Sequence, residues 1–492
     1  MKTPTLPEIS GLPAEVWEQT PVLVQALVVA LYARVGELAA SNEKLEQRIR
    51  DLEVRLNQNS SNTSKPPSSD PWWKNTNKKK EKSGKKPGGQ PGHPGHRRPI
   101  VSVEKVDDVF PHFPEQCEHC GDALCAENNV AEDPERLQVS ELPIVKVIVT
   151  EHQLHRRKCH SCGKISKAKP PAEIGDSAFG PRMQAEIVHL TANCKLPRRG
   201  IVRYAAESWG VDISLGSIHA VEQKAADALE EPYAQALVAV RQASVRNLDE
   251  TGWPQKNKTG WLWTAVCAIA TVFMIAPTRG SAAFKAFLGD ALSFGYIVTD
   301  RYKGYNPVEM ARRGICHAHL KRDFVKISQL GGPMCTLGPA LSFLHREVFV
   351  LWHRFKSQEI ERAAFDAALA PLKRDMRSLL EQGARSDYKK IAGMCSDILR
   401  HWQAIWNFTV IEGLEPTNNA AERAHRQAVK WRKTSFGTRS AGGSRFVERM
   451  LTVAETCRQN GCNVLDYLVR TITAATKGQP PPRLIPLPPP AA

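Results

Sequence analysis

The chain has 492 residues, with 67 Lys and Arg against 51 Asp and Glu, a net charge of +16. That length exceeds one simple core and sets an expectation of about two to four domains, while the positive balance points to a polyanionic partner, nucleic acid before an anionic membrane. Residues 1–20 carry Pro, Glu and Trp where a signal peptide's apolar run would lie, so a cytoplasmic location is expected, and the 12 cysteines, several in CxxC pairs, suit metal better than a disulfide framework.

From Val28 to Leu56 the apolar residues follow a heptad, with Leu31, Leu38, Leu45 and Leu52 at one position and Val28, Val35, Asn42, Ile49 and Leu56 at the other. β-Branched residues alternating with leucines, and one Asn in the seam, favour a parallel two-stranded coil. Residues 20–58 therefore read as a leucine-zipper-like helix of a homodimer or higher oligomer; an amphipathic helix packed on its own domain is the competing reading. Composition then shifts to Asn, Ser, Pro, Lys and Gly, through Lys78-Lys79-Lys80 to Gly88-Gly89-Gln90-Pro91-Gly92-His93-Pro94-Gly95-His96-Arg97-Arg98. Residues 59–105 cannot bury enough apolar surface to fold alone and read as a disordered basic linker. It could touch phosphates without reading sequence, or be simply solvated.

A zinc-binding module is expected over 106–172. Cys117 and Cys120, followed by Gly121, and Cys159 and Cys162, followed by Gly163, flank a strand-like stretch from Leu142 to Leu154. Two CxxC-Gly turns can aim four thiolates at one Zn²⁺, with glycine supplying the positive φ. Two unrelated thiol pairs are the alternative, and Cys125, His119 and His160 are secondary ligand candidates. Residues 173–240 read as helical and helix-turn-helix-like: Arg199 to Trp209, a turn at Gly210-Val211-Asp212-Ile213, then a helix capped by Ser214 and running to Ala228. Arg199 and Arg203, with Arg198, would meet phosphates, while Gln223, with Ser217 and His219, would face a groove. Helix pairs of this kind also occur in proteins that never touch DNA.

The segment 241–443 carries the catalytic candidates. Ser244 to Trp253 reads as a strand ending in acidic Asp249. Trp261 to Ala276 is nearly continuous apolar sequence, too short for a bilayer span of about 20 residues and rich in Val, Ile, Thr, Trp and Phe, so it reads as two buried strands, although Cys267 to Thr271 offers no obvious turn. A helix over Ser281–Leu288 and a strand ending at Asp300 follow. Neighbouring strands ending in Asp249 and Asp300 would set two carboxylates side by side, suited to Mg²⁺ or Mn²⁺. Glu422 is the candidate third ligand, on a helix with Arg423, Arg426 and Lys430 nearby; as a rival reading, Asn419 and Glu422 fit a capping box. Arg432 and Lys433, and the stretch from Gly437 to Gly443, suit phosphates. Phe324 to Glu412 reads as a helical insertion, residues 444–478 as closing helices, and 479–492 as a disordered Pro-rich tail.

The ordered series of heptad zipper, Ser60-to-Asp70 linker, GGQPGHPGH, twin CxxCG, Asp249-Glu250-Thr251, Asp300-Arg301-Tyr302-Lys303-Gly304-Tyr305 and Asn418-Asn419-Ala420-Ala421-Glu422-Arg423 resembles transposases of the insertion-sequence-66 family, from about Leu31 to Tyr467. The resemblance implies a multidomain α/β protein with a ribonuclease-H-like catalytic core, an Asp-Asp-Glu triad at Asp249, Asp300 and Glu422, DNA ends and target as substrates, and small accessory proteins of the same element as partners. One departure concerns Cys316-His317-Ala318-His319-Leu320-Lys321-Arg322, where the family usually has an aromatic after the Cys. Cys316 and His319 could be a metal pair or core packing. The expected activity is metal-dependent cleavage and strand transfer by two-metal phosphoryl transfer. A non-catalytic zinc-containing DNA-binding protein, or a nuclease that cuts without joining, are the rivals.

Overall fold

The computed structural model describes residues 14–59, 62–63, 99–125, 134–171, 174–175, 177–256, 258–330, 334 and 336–485. Most of the expected basic linker, at 60–61 and 64–98, and the last part of the Pro-rich tail, 486–492, lie outside the described residues.

A short helix α1 (Ala14–Glu18) precedes α2 (Val22–Leu56), a single helix of 35 residues. Its heptad leucines stay exposed, with Leu31, Leu38 and Leu45 at 57, 55 and 58%, so no described residue covers this apolar stripe. Within it, Val22–Glu46 is long and apolar enough to cross a membrane by length and composition alone. That segment also carries the Arg34–Glu37 ion pair at 2.8 Å and the heptad period, features of a water-facing helix seam.

Between residues 99 and 171 the strand-like stretch expected over Leu142–Leu154 does not pair. Leu142, Ile144 and Ile148 are 87, 97 and 91% exposed, and the only ladder in the module joins β1 (Arg156–Lys158) to β2 (Ile165–Lys167) among the described residues. Alternating apolar residues favour a strand only where a neighbouring edge and a covering layer exist, and here the described residues supply neither.

Four helices follow, α3 (Pro181–Ala192), α4 (Arg198–Tyr204), α5 (Leu215–Ala228) and α6 (Glu230–Gln242). After α4 a wide turn over Ala205–Trp209 ends at Gly210, whose φ of 64° is left-handed. Ser214 caps α5, its hydroxyl accepting the Ser217 N–H at 3.0 Å.

All four share one apolar core with a five-stranded sheet of order β5-β4-β3-β6-β7, which α6 meets at β5. β3 (Val245–Gln255), β4 (Lys258–Val266) and β5 (Thr271–Ala276) are antiparallel neighbours, whereas β6 (Tyr296–Thr299) and β7 (Arg313–Ile315) run parallel to β3 and to each other, with α7 (Ser281–Leu288) between β5 and β6. The apolar run Trp261–Ala276 thus supplies two strands. Its missing turn signal is replaced from outside: Cys267 N–H donates to Ala270 O at 2.9 Å, Gln459 Nε2 donates to Ala268 O at 2.8 Å, and Asn460 Nδ2 donates to Ile269 O at 2.8 Å.

After β7 come α8 (His317–Gln329), α9 (Leu337–Lys356), α10 (Arg362–Ala384), α11 (Lys389–Arg400) and α12 (Trp402–Trp406). This helical insertion starts seven residues ahead of the expected Phe324, since α8 begins at His317. It forms its own core around Leu320, Phe324, Leu341, Leu369 and Leu380, reaching the sheet through Val298 and Ile315. The chain then returns through α13 (Asn419–Ser435), α14 (Ala441–Gln459) and α15 (Val464–Thr476). The Pro-rich tail is ordered at its start, because Leu484 is 2% exposed and Tyr467 Oη donates to Pro482 O at 2.8 Å; an apolar pair inside the proline run has a groove to enter.

β5 is an edge strand, and an exposed row of N–H groups invites foreign pairing. α14 closes it with side chains four residues apart: Thr456 Oγ1, Thr452 Oγ1 and Glu448 Oε1 accept from Thr271, Phe273 and Ile275 N–H at 3.1, 3.1 and 2.5 Å. Burial pushes the Glu448 carboxyl up to about 7, against the Ile275 N–H and the Arg449 and Arg445 charges. A carboxyl raised on folding holds its proton more tightly in the folded state, so its stabilisation is full below its unfolded value of 4.5 and lost as pH rises through about 7. Glu448→Gln keeps the acceptor and cannot ionise. Relative to wild type it should gain about 2 kcal/mol on going from acid to above neutral pH, allowing for partial solvent contact. Paired melting curves check this; an offset between the two proteins that is constant with pH would count against it.

Candidate active site

Alternation along β3 sends Asn247, Asp249 and Thr251 to one face and Leu248 and Glu250 to the other. Asp249 lies inside the strand rather than at its end. The sheet is stepped there: pairing with β6 stops at Asn247↔Val298, while pairing with β4 continues to Gln255↔Lys258. Carrying the β3–β6 register two residues on sets Asp249 level with Asp300, which directly follows β6. Both carboxylates therefore stand where the parallel half of the sheet stops.

α13 lies over this face of β3 and meets alternate strand residues at seven-residue steps. Asn418, at its N-cap, accepts from Asn247 Nδ2 at 3.1 Å and donates to Leu248 O at 2.6 Å. His425 Nδ1 lies 2.9 Å from Asp249 Oδ2, and Arg432 Nη1 donates to Thr251 Oγ1 at 3.1 Å. Glu422 sits one turn before His425. The capping box is not formed, because the helix N-cap is Asn418, with no side-chain cap bond, and its amide is spent on β3. Glu422 Oε1 is instead buried without a hydrogen-bond partner.

Burial alone would raise the Asp249 carboxyl; the His425 imidazole, then His319 and the Glu250 N–H, outweigh it and hold the carboxyl below its ordinary value. Asp300 Oδ1 accepts the Tyr302 N–H at 2.9 Å. The loop behind it is braced on both sides. Arg301 pairs with Asp323 at 2.7 Å and Asp397 at 2.9 Å, both from the helical insertion, and Arg313 donates to Asp300 O at 2.8 Å. On the far face of β3, Glu250 takes Arg279 at 2.6 Å and the Tyr305 hydroxyl, and Arg279 stacks 3.8 Å from the Tyr302 ring centre. Burial and the charges of Asp300 and Asp249 push Glu250 up to about 7.

The fold thus gathers the three expected carboxylates at one end of the sheet, but their oxygens do not form one ligand cluster. Among the described residues, the one group of three or more His, Cys, Asp or Glu ligand atoms mutually within 4.8 Å is Cys316, His319 and Glu422. The two acidic strand residues and an unpartnered glutamate oxygen are hard oxygen donors that fit Mg²⁺ or Mn²⁺.

The four cysteines of the CxxC pairs lie outside that cluster. Each CxxC-Gly turn is well formed, with Gly121 and Gly163 at φ 78° and 71° and their N–H groups donating to Cys117 O and Cys159 O at 2.9 and 3.0 Å. The N–H groups of His119 and Cys120, and of Cys162 and Ser161, favour the thiolates of Cys117 and Cys159. Cys117, Cys120, Cys159 and Cys162 are nevertheless not drawn into one four-sulfur group, since each turn is built locally and the stretch between them does not pair.

Of the expected DNA contacts, Arg199, Arg203, Arg423, Arg426, Lys430 and Lys433 are exposed. The last four, spaced three, four and three residues apart, share one face of α13. Arg432 does not join them: it is half-buried on Thr251 and the Gly252 carbonyl, where burial lowers it. Gln223 is likewise turned inward, since a Cβ on Gly442 of α14 would lie 2.3 Å from its Oε1 and its Nε2 is buried without a partner. Arg198 is engaged by buried Glu222 at 2.9 Å.

His317 packs among aromatic rings. It is 1% exposed, 4.9 Å from Phe408 and beside Phe349 and Trp406, its Nε2 is 2.9 Å from Ile405 O, and burial lowers it to about 4. Reading the sequence missed His425 and Asn418 as partners of β3. Their positions seven residues apart, in phase with Arg432, were the available signal.

Residues 176–445 match the model described as Transposase IS66 family, and residues 5–99 match a family of unknown function, DUF6444. Uncharacterized protein y4hP of Sinorhizobium fredii is 25% identical over 402 residues, covering 74% of this chain and 71% of that protein. Uncharacterized protein y4qI of the same organism is 26% identical over 206 residues, 38% of this chain and 37% of its own length. With the family model spanning more than half of its length, and both strand aspartates and Glu422 inside the match, the chain belongs to the IS66 family of transposases.

Proposed function

We propose that this transposase cleaves and joins DNA strands at a metal centre held by Asp249, Asp300 and Glu422. The observation that carries the reading is the level placement of Asp249 and Asp300 across the β3–β6 pair, with Glu422 on α13 one turn before the His425 that meets Asp249. Strand order β5-β4-β3-β6-β7, three antiparallel strands followed by two parallel ones, supports a ribonuclease-H-like core. Divalent ions there would activate a water or a 3′-hydroxyl and offset charge on the leaving oxygen. The protein's own residues do the rest. His425 fixes the Asp249 carboxylate, the Arg301 and Arg313 braces hold the Asp300 loop, and Arg423, Arg426, Lys430 and Lys433 offer a row of cations to the phosphates.

The remaining modules fit that activity. Arg199 and Arg203 lie on the exposed side of the α4–α5 pair, suited to the backbone of an element end. The CxxC-Gly turns would hold Zn²⁺ once drawn together. The exposed stripe of α2 would be covered by a second copy, each buried leucine contributing about 1.5–3 kcal/mol, which would bring two DNA ends to one assembly in the cytoplasm.

The test is Mg²⁺-dependent cleavage and joining of element-end DNA. Asp249→Asn and Asp300→Asn should each lower the rate by at least about 10³-fold, about 4 kcal/mol of barrier, with DNA binding retained. Activity within about tenfold of wild type in either variant would sink the reading. Cleavage without joining in the wild type would favour a nuclease.

A further inference from the structure

We infer that Cys316, His319 and Glu422 form a second kind of metal site, a sulfur–nitrogen–oxygen site for a borderline ion, zinc above all, that shares Glu422 with the oxygen-ligand centre. The inference deepens the reading above and rests on it only for the consequence of sharing Glu422.

The site is assembled by two helix starts. β7 ends at Ile315, Cys316 is the N-cap of α8, and His319 lies three residues on, in the first turn, so thiol and imidazole fall on one side of the helix. Asn418, the N-cap of α13, donates its N–H to Cys316 Sγ at 3.2 Å, which locks the start of one helix to the other and brings Glu422 opposite. The three ligand atoms lie within 4.8 Å of one another. His319 Nδ1 and Glu422 Oε1 are 3.9 Å apart, too far to hydrogen-bond, yet both are buried and neither has any hydrogen-bond partner. An imidazole nitrogen and a carboxylate oxygen left facing each other unsatisfied are costly, and no other described residue hydrogen-bonds to either atom.

A cation between them resolves this, and the donor set selects which. Bonds of 2.0–2.3 Å in a tetrahedral zinc site set ligand atoms roughly 3.3–3.8 Å apart, so the cluster needs to close by about 1.5 Å or less. Three protein ligands leave a fourth position for water or a phosphate oxygen. Mg²⁺ takes oxygen ligands in octahedral geometry and has little use for a thiolate, whereas Zn²⁺, Co²⁺ and Cd²⁺ accept this mixture. Asp249 faces His425, and neither aspartate has an oxygen in this cluster. An ion here takes Glu422 away from them, and zinc becomes an inhibitor of Mg²⁺-driven strand transfer.

Co²⁺ titration tests the assignment, because thiolate ligation gives a sulfur-to-cobalt charge-transfer band in the near ultraviolet and four-coordination gives intense visible bands. The parent protein is the full chain carrying Cys117→Ser, Cys120→Ser, Cys159→Ser and Cys162→Ser, so that the knuckle sulfurs do not contribute. The expected result is a charge-transfer band that Zn²⁺ abolishes and excess Mg²⁺ leaves in place. Cys316→Ala should remove the band and His319→Gln should collapse the visible intensity; a melting curve on each separates ligand loss from unfolding. No band in the parent, a band that persists in Cys316→Ala, or displacement by Mg²⁺ at concentrations comparable to Co²⁺ would overturn the site. Should Cys316→Ala fail to fold, His319→Gln decides by its visible bands, whose persistence at full intensity would overturn the site as well. Asp300→Asn leaves the band intact, so loss of strand transfer in that variant and loss of the band in Cys316→Ala report on separate claims.

Discussion

Glu422→Gln should lose strand cleavage and joining by at least about 10³-fold while its melting temperature stays level or rises. The two roles that the sequence allowed for Glu422 make opposite statements about this substitution. In a capping box, Gln serves as well as Glu, since either reaches back to the N-cap N–H, and neither stability nor activity would change. In the folded chain the helix starts one residue earlier than that motif requires, with Asn418 at the N-cap and its amide donated to Leu248 O at 2.6 Å. The carboxylate contributes nothing to the cap and leaves Oε1 buried and unpaired. The amide keeps the side-chain size and breaks no hydrogen bond at Oε1, so a stability cost is not expected. Activity falls because a neutral amide is a far weaker ligand for a divalent ion. Strand-transfer assays in Mg²⁺ and Mn²⁺, with melting curves on the same preparations, separate the cases; unchanged activity would return Glu422 to a structural role.

What the sequence disclosed, and what it withheld, divides along a physical line. Alternation and turn chemistry are local, and they located β3, β6, the apolar pair β4 and β5, and the Ser214 cap within a few residues. The heptad in α2 was equally legible, because a period of seven needs no knowledge of the partner. Properties set by contacts across the chain were not legible. Gln223 and Arg432 look like groove-facing and phosphate-facing residues from their helix phase, but Gly442 and Thr251 come close enough to claim them. The turn at Cys267–Ala270 has no turn residues because Gln459 and Asn460 hold its carbonyls from about 190 positions away. The strand-like stretch over Leu142–Leu154 has the right composition and, among the described residues, no edge to join.

The site shows the same division. Asp249 was identifiable as an acidic residue in an apolar strand, but not its position at the step of the sheet, which depends on how early β6 stops. His425 could not be chosen among the polar residues of α13 without the strand beneath it. The seven-residue interval through Asn418, His425 and Arg432 becomes meaningful only beside the two-residue interval of Asn247, Asp249 and Thr251. This interlock explains why the chain tolerates a buried imidazole beside Asp249. It fixes the carboxylate geometry that the proposed metal centre would need before any ion arrives.

The loop after α13 carries the second large effect. Gly437, in a stretch whose glycines and basic residues suggest phosphate contact, has φ 90°, and a Cβ there would lie 2.1 Å from Pro254 O and 2.9 Å from Pro254 C. Both are backbone atoms of β3, so no rotamer change relieves the overlap. The loop is also stitched to the strand: Thr438 N–H donates to Pro254 O at 3.0 Å, Lys256 N–H donates to Thr438 O at 2.8 Å, and Trp253 Nε1 donates to Thr438 Oγ1 at 3.2 Å. Gly437→Ala should therefore cost about 2–4 kcal/mol, from left-handed strain plus overpacking, and lower the melting temperature by about 5–10 °C. Gly437→Asn, which relieves the left-handed strain but not the overlap, should recover little of it. DNA affinity measured well below the transition should change less than about twofold. If the loop instead grips phosphates, the pattern reverses: affinity and its salt dependence fall while the melting temperature holds. One variant and two measurements thus assign the loop to the fold or to the DNA.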